Sequence, residues 1–246
     1  IPADSADDFS SKETSDPADT GNLASADVSV QEDTNTEKTA VLSPGFQVVT
    51  DENGETYTCY VTSDGTISRG NHTTYVREHD TVSWLTVNSV WYLVDTADGH
   101  LLSGWQTVAG SLYYLRPDTF AMETGNQSRG GWAVIDGQWY SFRSWGGART
   151  GWYSYSGCWY YLYADGHMEN SSLTFNGKTY FFRSWGGMYN NTVVSSGEFR
   201  CYVQEDGTIC TRTGWVKSQG KWYWIKDNSG QLAKSEWITY KNNRYY

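Results

Sequence analysis

From about residue 46 onward, short runs of alternating aromatic and polar residues are cut at regular intervals by glycine. The segment Gly151-Trp152-Tyr153-Ser154-Tyr155-Ser156-Gly157-Cys158-Trp159-Tyr160-Tyr161-Leu162 reads as strand, tight turn at Ser156-Gly157, strand. Glycine suits a two-residue hairpin turn, and the flanking aromatics suit paired strands. An Asp165-Gly166 turn and an apolar Met168 follow.

With Trp152 as position zero, Gly157 stands at plus five, Trp159 at plus seven, Tyr160 at plus eight and Tyr161 at plus nine. The same frame fits with position zero at Trp84, Trp105, Trp132, Trp152, Ser172, Thr192, Trp215 and Trp237, in steps of 21, 27, 20, 20, 20, 23 and 22 residues. Tyrosine holds plus eight in every copy except the one with Arg200. An earlier, weaker copy carries Gly54 and Tyr57. The string Phe-Arg-Ser-Trp-Gly-Gly occurs at 142–147 and again at 182–187, two repeats apart, which checks the register independently.

A two-stranded hairpin is marginal alone, so each must stack on the next. The expected fold is therefore all-β: a solenoid of stacked β-hairpin repeats of about 20–22 residues. Three regions are expected: a disordered acidic Ser/Thr/Asp/Ala-rich linker over 1–45, a degenerate first repeat with an irregular insertion over 46–83, and the solenoid over 84–246. The long step before Trp132 contains Gln127-Ser128-Arg129-Gly130-Gly131 and predicts a bulged loop or a break in the stack. Alternation sends plus seven and plus nine to one face of the second strand and plus eight to the other. The plus-eight tyrosines are accordingly expected to pack between hairpins. Met122, Met168 and Met188 are expected as apolar plugs, and Trp145 and Trp185 as loop packing.

Four copies carry tryptophan at both zero and plus seven: Trp84/Trp91, Trp132/Trp139, Trp152/Trp159 and Trp215/Trp222. In a hairpin turning near plus five, those two side chains can meet. The plus-nine residue of the next copy would add a third wall: Tyr114, Tyr161, Phe181 and Tyr246, in the same order. A three-sided aromatic box suits a quaternary ammonium group, whose charge is drawn to ring faces. The alternative is mutual packing that holds the hairpin closed.

Composition narrows the field. The 13 Trp and 19 Tyr outnumber the 8 Phe, favouring surfaces that are both wet and sticky. Residues 1–45 hold ten acidic residues and two lysines, so most of the net charge of −10 lies there. Nucleic acid is an unsuitable partner without a basic face. No apolar run approaches the roughly eighteen residues of a membrane span. No signal peptide is visible, and Ile1 reads as a processed or trimmed end. His72, His79, His100 and His167 share no metal-ligand spacing, and no cysteine sits in a nucleophile motif. Acidic residues such as Asp98, Asp165 and Asp206 precede glycine as turn formers. No catalytic residue, metal or cofactor is expected. Cys59, Cys158, Cys201 and Cys210 are read as packed free thiols, with a Cys201–Cys210 disulfide across an Asp-Gly turn as the alternative.

The Gly-Trp-x5–6-Gly-x-Trp-Tyr-Tyr-Leu segments and the later Asp-Gly-x-Met resemble the cell-wall-binding, or choline-binding, repeats of Gram-positive surface proteins. The stretch Gly104 to Gly125 is also similar to glucan-binding repeats and to the C-terminal repeats of clostridial toxins. The resemblance covers roughly residues 46–246. It implies a secreted or cell-surface, non-catalytic module that docks choline-decorated teichoic acid, glucan or host glycan between hairpins. It also implies a pocket made of the two tryptophans of one repeat and the last tyrosine of the next repeat's Trp-Tyr-Tyr. Leu112, Thr179, Phe199 and Arg244 at plus seven, and Ser172 and Thr192 at zero, depart from that pattern. Those copies lack a complete box and leave a sugar as the alternative ligand, with Gln138, Arg143, Arg183 and Lys221 near enough to meet its hydroxyls. The other readings are a host-receptor-binding rod, as in an adhesin or toxin, and a purely structural stalk.

Overall fold

The structure is a computed structural model that describes residues 42–71 and 81–246. Most of the acidic segment and most of the expected insertion before Trp84 lie outside the described residues. Nine antiparallel hairpins follow one another along the described chain, each a separate two-stranded sheet. They are β1 Gly45–Thr50 with β2 Thr56–Val61, β3 Val82–Val87 with β4 Val90–Asp95, and β5 Gly104–Val108 with β6 Ser111–Leu115. Next come β7 Trp132–Ile135 with β8 Gln138–Ser141, β9 Gly151–Tyr155 with β10 Cys158–Leu162, and β11 Ser172–Phe175 with β12 Lys178–Phe181. The last are β13 Thr192–Ser196 with β14 Phe199–Val203, β15 Gly214–Ser218 with β16 Lys221–Ile225, and β17 Ile238–Tyr240 with β18 Asn243–Tyr245.

Turn chemistry fixes the register. Ser156 and Gly157 both have positive φ, 51° and 78°, the signature of a type I′ turn whose twist matches that of paired strands. Position zero then lies directly opposite plus nine, as in Trp152 with Tyr161 and Trp215 with Trp224.

Two copies shift from the expected frame. In β13–β14 the glycine is the first turn residue, Gly197, so Val193 rather than Thr192 pairs as position zero, opposite Tyr202. Arg200 therefore takes plus seven, and the buried Cys201 takes plus eight. In β1–β2 a longer loop, Asp51–Glu55, replaces the two-residue turn, and Phe46 pairs with Tyr60. Cys59, not Tyr57, fills the tyrosine place there. Both cysteines are small and wholly buried where the other hairpins place a larger phenol. All four cysteines are free thiols, so the Cys201–Cys210 disulfide does not form.

The core is a spine rather than a centre. The residue at plus ten is buried in successive copies: Val94, Leu115, Phe142, Leu162, Phe182, Val203 and Ile225. Each contributes about 1.5–3 kcal/mol by leaving water. After plus ten the chain turns back, and a short return segment bridges that residue: Leu115 with Met122, Phe142 with Ala148, Leu162 with Met168, and Ile225 with Leu232. This segment ties the stack together. The N–H of Met168 donates to the Trp139 carbonyl of the preceding hairpin, and the N–H of Glu169 donates to the Tyr161 carbonyl of its own. Met122 on Trp91, Met188 on Trp159 and Leu232 on Arg200 repeat the first bond. The backbone of plus seven is thus held inside the stack while its side chain points outward.

The Gly-Gly of the repeated string has a double purpose. A Cβ on Gly146 would lie 2.2 Å from the Met122 sulfur, and one on Gly147 would lie 2.0 Å from the Trp145 ring. Gly186 and Gly187 stand in the same relation to Met168 and Trp185. The methionines therefore plug the joints between hairpins, as expected. The long step before Trp132 is a bulge, a single 3-10 turn over Gln127–Arg129, and not a break. Gly130 closes it by accepting from the Ser141 and Tyr153 hydroxyls.

Candidate functional site

Three of the four indole pairs meet as the alternation predicts, while Trp215 meets Trp224 of its own hairpin and shares only an open space with Trp222. Trp84 and Trp91, Trp132 and Trp139, and Trp152 and Trp159 stand edge to face with centroids 6.1, 6.4 and 6.4 Å apart. The plus-seven indoles face solvent: Trp139, Trp159 and Trp222 are 37%, 47% and 62% exposed.

The third ring is not the expected one. The plus-eight tyrosine of the next hairpin leans against position zero: Tyr113 on Trp84 at 4.8 Å, Tyr160 on Trp132 at 4.9 Å, Tyr180 on Trp152 at 4.9 Å and Tyr245 on Trp215 at 5.0 Å. The plus-nine residues go elsewhere. Tyr114 packs on Trp105 of its own hairpin, Tyr161 on Trp152 of its own hairpin, and Tyr246 on Trp237. Phe181 is buried with Val194, Cys201 and Val203. The plus-eight tyrosines thus join neighbouring hairpins and also wall the indole pairs; the two faces of the ribbon do not divide those tasks cleanly.

At the last such joint the three rings enclose an open crevice. Trp215, Trp222 and Tyr245 line a space of about 330 Å³. Lys217 already lies 5.8 Å from the Trp222 centroid, so an incoming cation would meet a like charge at this mouth. Val134 and Ser154, both uncharged, stand opposite plus seven at Trp139 and Trp159.

Joints without an indole pair are filled by the chain itself. Trp105 meets Tyr140 at 4.7 Å, but Leu112 stands at plus seven, and both rings pack into the cluster around Ile135 and Phe142. Between β13–β14 and β15–β16, the Arg200 guanidinium lies 5.1 Å over the Tyr223 ring. A cation supplied by the protein there covers the plus-eight ring.

Of the groups considered for sugar hydroxyls, Arg143 and Arg183 each donate to a backbone carbonyl, of Ala148 and Met188, at 2.9 and 3.0 Å. Each also lies over a loop indole, Trp145 or Trp185. Gln138 and Lys221 are exposed. Among the described residues no cluster of His, Cys, Asp and Glu could hold a metal ion. His100 and His167 each pair with the turn aspartate two residues earlier, Asp98 and Asp165. Glu169 accepts from the Tyr163 hydroxyl and the Ser171 N–H, which accounts for its burial as a structural group.

Burial favours the neutral form of four plus-eight tyrosines. It pushes the Tyr160 phenol up to about 12 and raises Tyr92, Tyr113 and Tyr140 in the same direction. These groups are neutral in the native state at a pH where the unfolded chain, titrating near 10.0, has already released its protons. Their stabilisation is complete below pH 10 and is lost as pH rises toward 12. Thermal unfolding followed by far-ultraviolet dichroism is expected to show a midpoint that falls steeply across that interval, in step with phenolate absorbance.

No curated protein matches this sequence. Among family models, that of the cell wall binding repeat matches residues 150–168 and 213–232. Those spans are the β9–β10 and β15–β16 hairpins with their return segments, and both carry an indole pair. Among solved structures, CbpJ from Streptococcus pneumoniae TIGR4 is 25% identical, with a TM-score of 0.59 over 83% of this chain and 71% of that one. Choline binding protein F from Streptococcus pneumoniae, solved in the presence of a peptidoglycan analogue, is 25% identical, with a TM-score of 0.54 over 78% of this chain and 65% of that one. Two of the hairpins that carry paired indoles thus match the cell wall binding repeat directly, and the run of hairpins is similar to the solved pneumococcal choline-binding proteins.

Proposed function

We propose that the solenoid is a non-catalytic module that attaches to choline-bearing wall polymer, teichoic acid, through its aromatic crevices at the bacterial surface. The observation that carries this reading is the open crevice between Trp215, Trp222 and Tyr245. Its walls are three aromatic residues, which suits a methylated cation better than a hydroxylated sugar ring. The corresponding walls at the other joints are Trp84, Trp91 and Tyr113; Trp132, Trp139 and Tyr160; and Trp152, Trp159 and Tyr180. Each ring supplies about 0.5–2 kcal/mol, so one crevice binds choline at roughly millimolar to tens of micromolar. Several crevices on one chain raise the hold on a polymer by orders of magnitude without any new contact.

The test is retention on choline-derivatised agarose and elution by free choline, beside a dextran column of equal capacity. The expected result is retention on the first and passage through the second. Retention on dextran alone would replace the ammonium ligand with a glucan. Passage through both, with binding to host cells, would favour a receptor-binding rod.

A further inference from the structure

Trp145 and Trp185 occupy the same place in two loops and stay 50% and 41% exposed. Each is held there by its surroundings. The indole folds over a glycine backbone, Gly147 or Gly187, that leaves no room for a Cβ. A guanidinium tied to a carbonyl, Arg143 or Arg183, lies 5.5 or 5.3 Å from the ring centroid. A ring held only for packing has no need of that exposure.

Both indoles also stand beside crevice walls. Trp145 meets Tyr113 at 5.9 Å, and Trp185 meets Tyr160 at 6.1 Å. Those are the tyrosines that lean on Trp84 and Trp132. The loop of one hairpin therefore reaches back to the joint between the two hairpins before it. The matching loop after β13–β14 places Asp206, not an indole, ahead of the glycine that abuts Tyr180.

We infer that Trp145 and Trp185 are fourth walls of the Trp84/Trp91/Tyr113 and Trp132/Trp139/Tyr160 crevices, and that they make these two the tighter quaternary-ammonium sites. This rests on the choline-binding reading above. With one ring face already used by arginine, the indole acts mainly by contact with the ligand's methyl groups and by excluding water. The second benefit is indirect: the ammonium is more fully desolvated against the other three rings, where cation–π attraction is stronger. The uncharged Val134 opposite Trp139 works in the same direction at the second of these crevices.

The test is calorimetric titration with choline chloride. The starting variant carries Trp159→Ala and Trp222→Ala, so binding is left to the two four-walled crevices. That variant should still bind choline. If the native protein itself shows no choline binding, the parent reading fails and not this one. Adding Trp145→Ala and Trp185→Ala should weaken the remaining binding roughly threefold to tenfold. Trp145→Phe and Trp185→Phe should give intermediate affinity with an unchanged unfolding midpoint, which separates loss of a wall from loss of fold. An isotherm unchanged by the alanine pair would reduce the two indoles to loop packing. Tighter binding would make them plugs. Either result overturns the inference.

Discussion

Replacing Phe142 with alanine is expected to destabilise the protein by about 3–5 kcal/mol, the range for truncating a buried aromatic side chain. Phe142 is wholly buried at plus ten, and its ring stacks on Trp105 at 6.0 Å with an interplanar angle of 15°. Its N–H donates 2.7 Å to the Gly131 carbonyl, which fixes the bulged loop above it. Tyr140, Ile135 and Ala148 complete the cluster, so the cavity would open at the joint between two hairpins. A stack of repeats has few contacts to spare at any joint, because each unit touches only its neighbours. The loss should therefore broaden the urea transition as well as shift it, as the two halves begin to unfold separately. Val134→Ala, at an exposed position of β7, should change the midpoint little. Equal effects of the two changes would mean that plus ten is not the spine.

The second large effect is on recognition. Trp222→Ala should abolish choline binding at its crevice while changing stability by no more than about 0.5 kcal/mol, as expected for a surface position. The indole is exposed, and the strand pairing of Lys217 with Trp222 is made by backbone atoms. Trp84→Ala makes the contrast. That indole is 3% exposed and packs with Leu93, Val108 and Leu115, so its loss should cost about 3–5 kcal/mol. Fluorescence titration with choline, paired with urea unfolding of each variant, separates the two. The account requires Trp222→Ala to retain native stability and Trp84→Ala to lose it.

These contrasts also mark what sequence reading reaches. The hairpins were legible because turn glycines and aromatic runs are local signals: Gly110, Gly137, Gly157, Gly177 and Gly220 each end a two-residue turn at the expected place. The β13–β14 register was not legible, because Gly197 serves as the first turn residue where the others serve as the second. That difference moves every side chain of the second strand by one place, which explains an apparent arginine among the tyrosines.

Three of the indole pairs were legible too, since two residues of one hairpin meet through strand geometry alone. The third wall was not. Which residue of the next hairpin reaches Trp84 or Trp215 depends on how one hairpin is rotated onto another. That rotation is set by the return segment, whose N–H groups bridge the plus-seven carbonyl of one repeat and the plus-nine carbonyl of the next. Nothing in strand alternation encodes it. The spine at plus ten was visible as Leu162, Leu115 or Phe142, yet it varies in identity more than plus eight, where only Cys59 and Cys201 replace tyrosine among the described hairpins. A position that needs only apolar bulk attracts less notice than one that needs a particular ring.

Soaking crystals of the protein in choline gives the most direct check. The account places the trimethylammonium group between Trp215, Trp222 and Tyr245, within about 6 Å of the ring centroids. Choline found only away from the indole pairs, with that crevice empty at saturation, would contradict it.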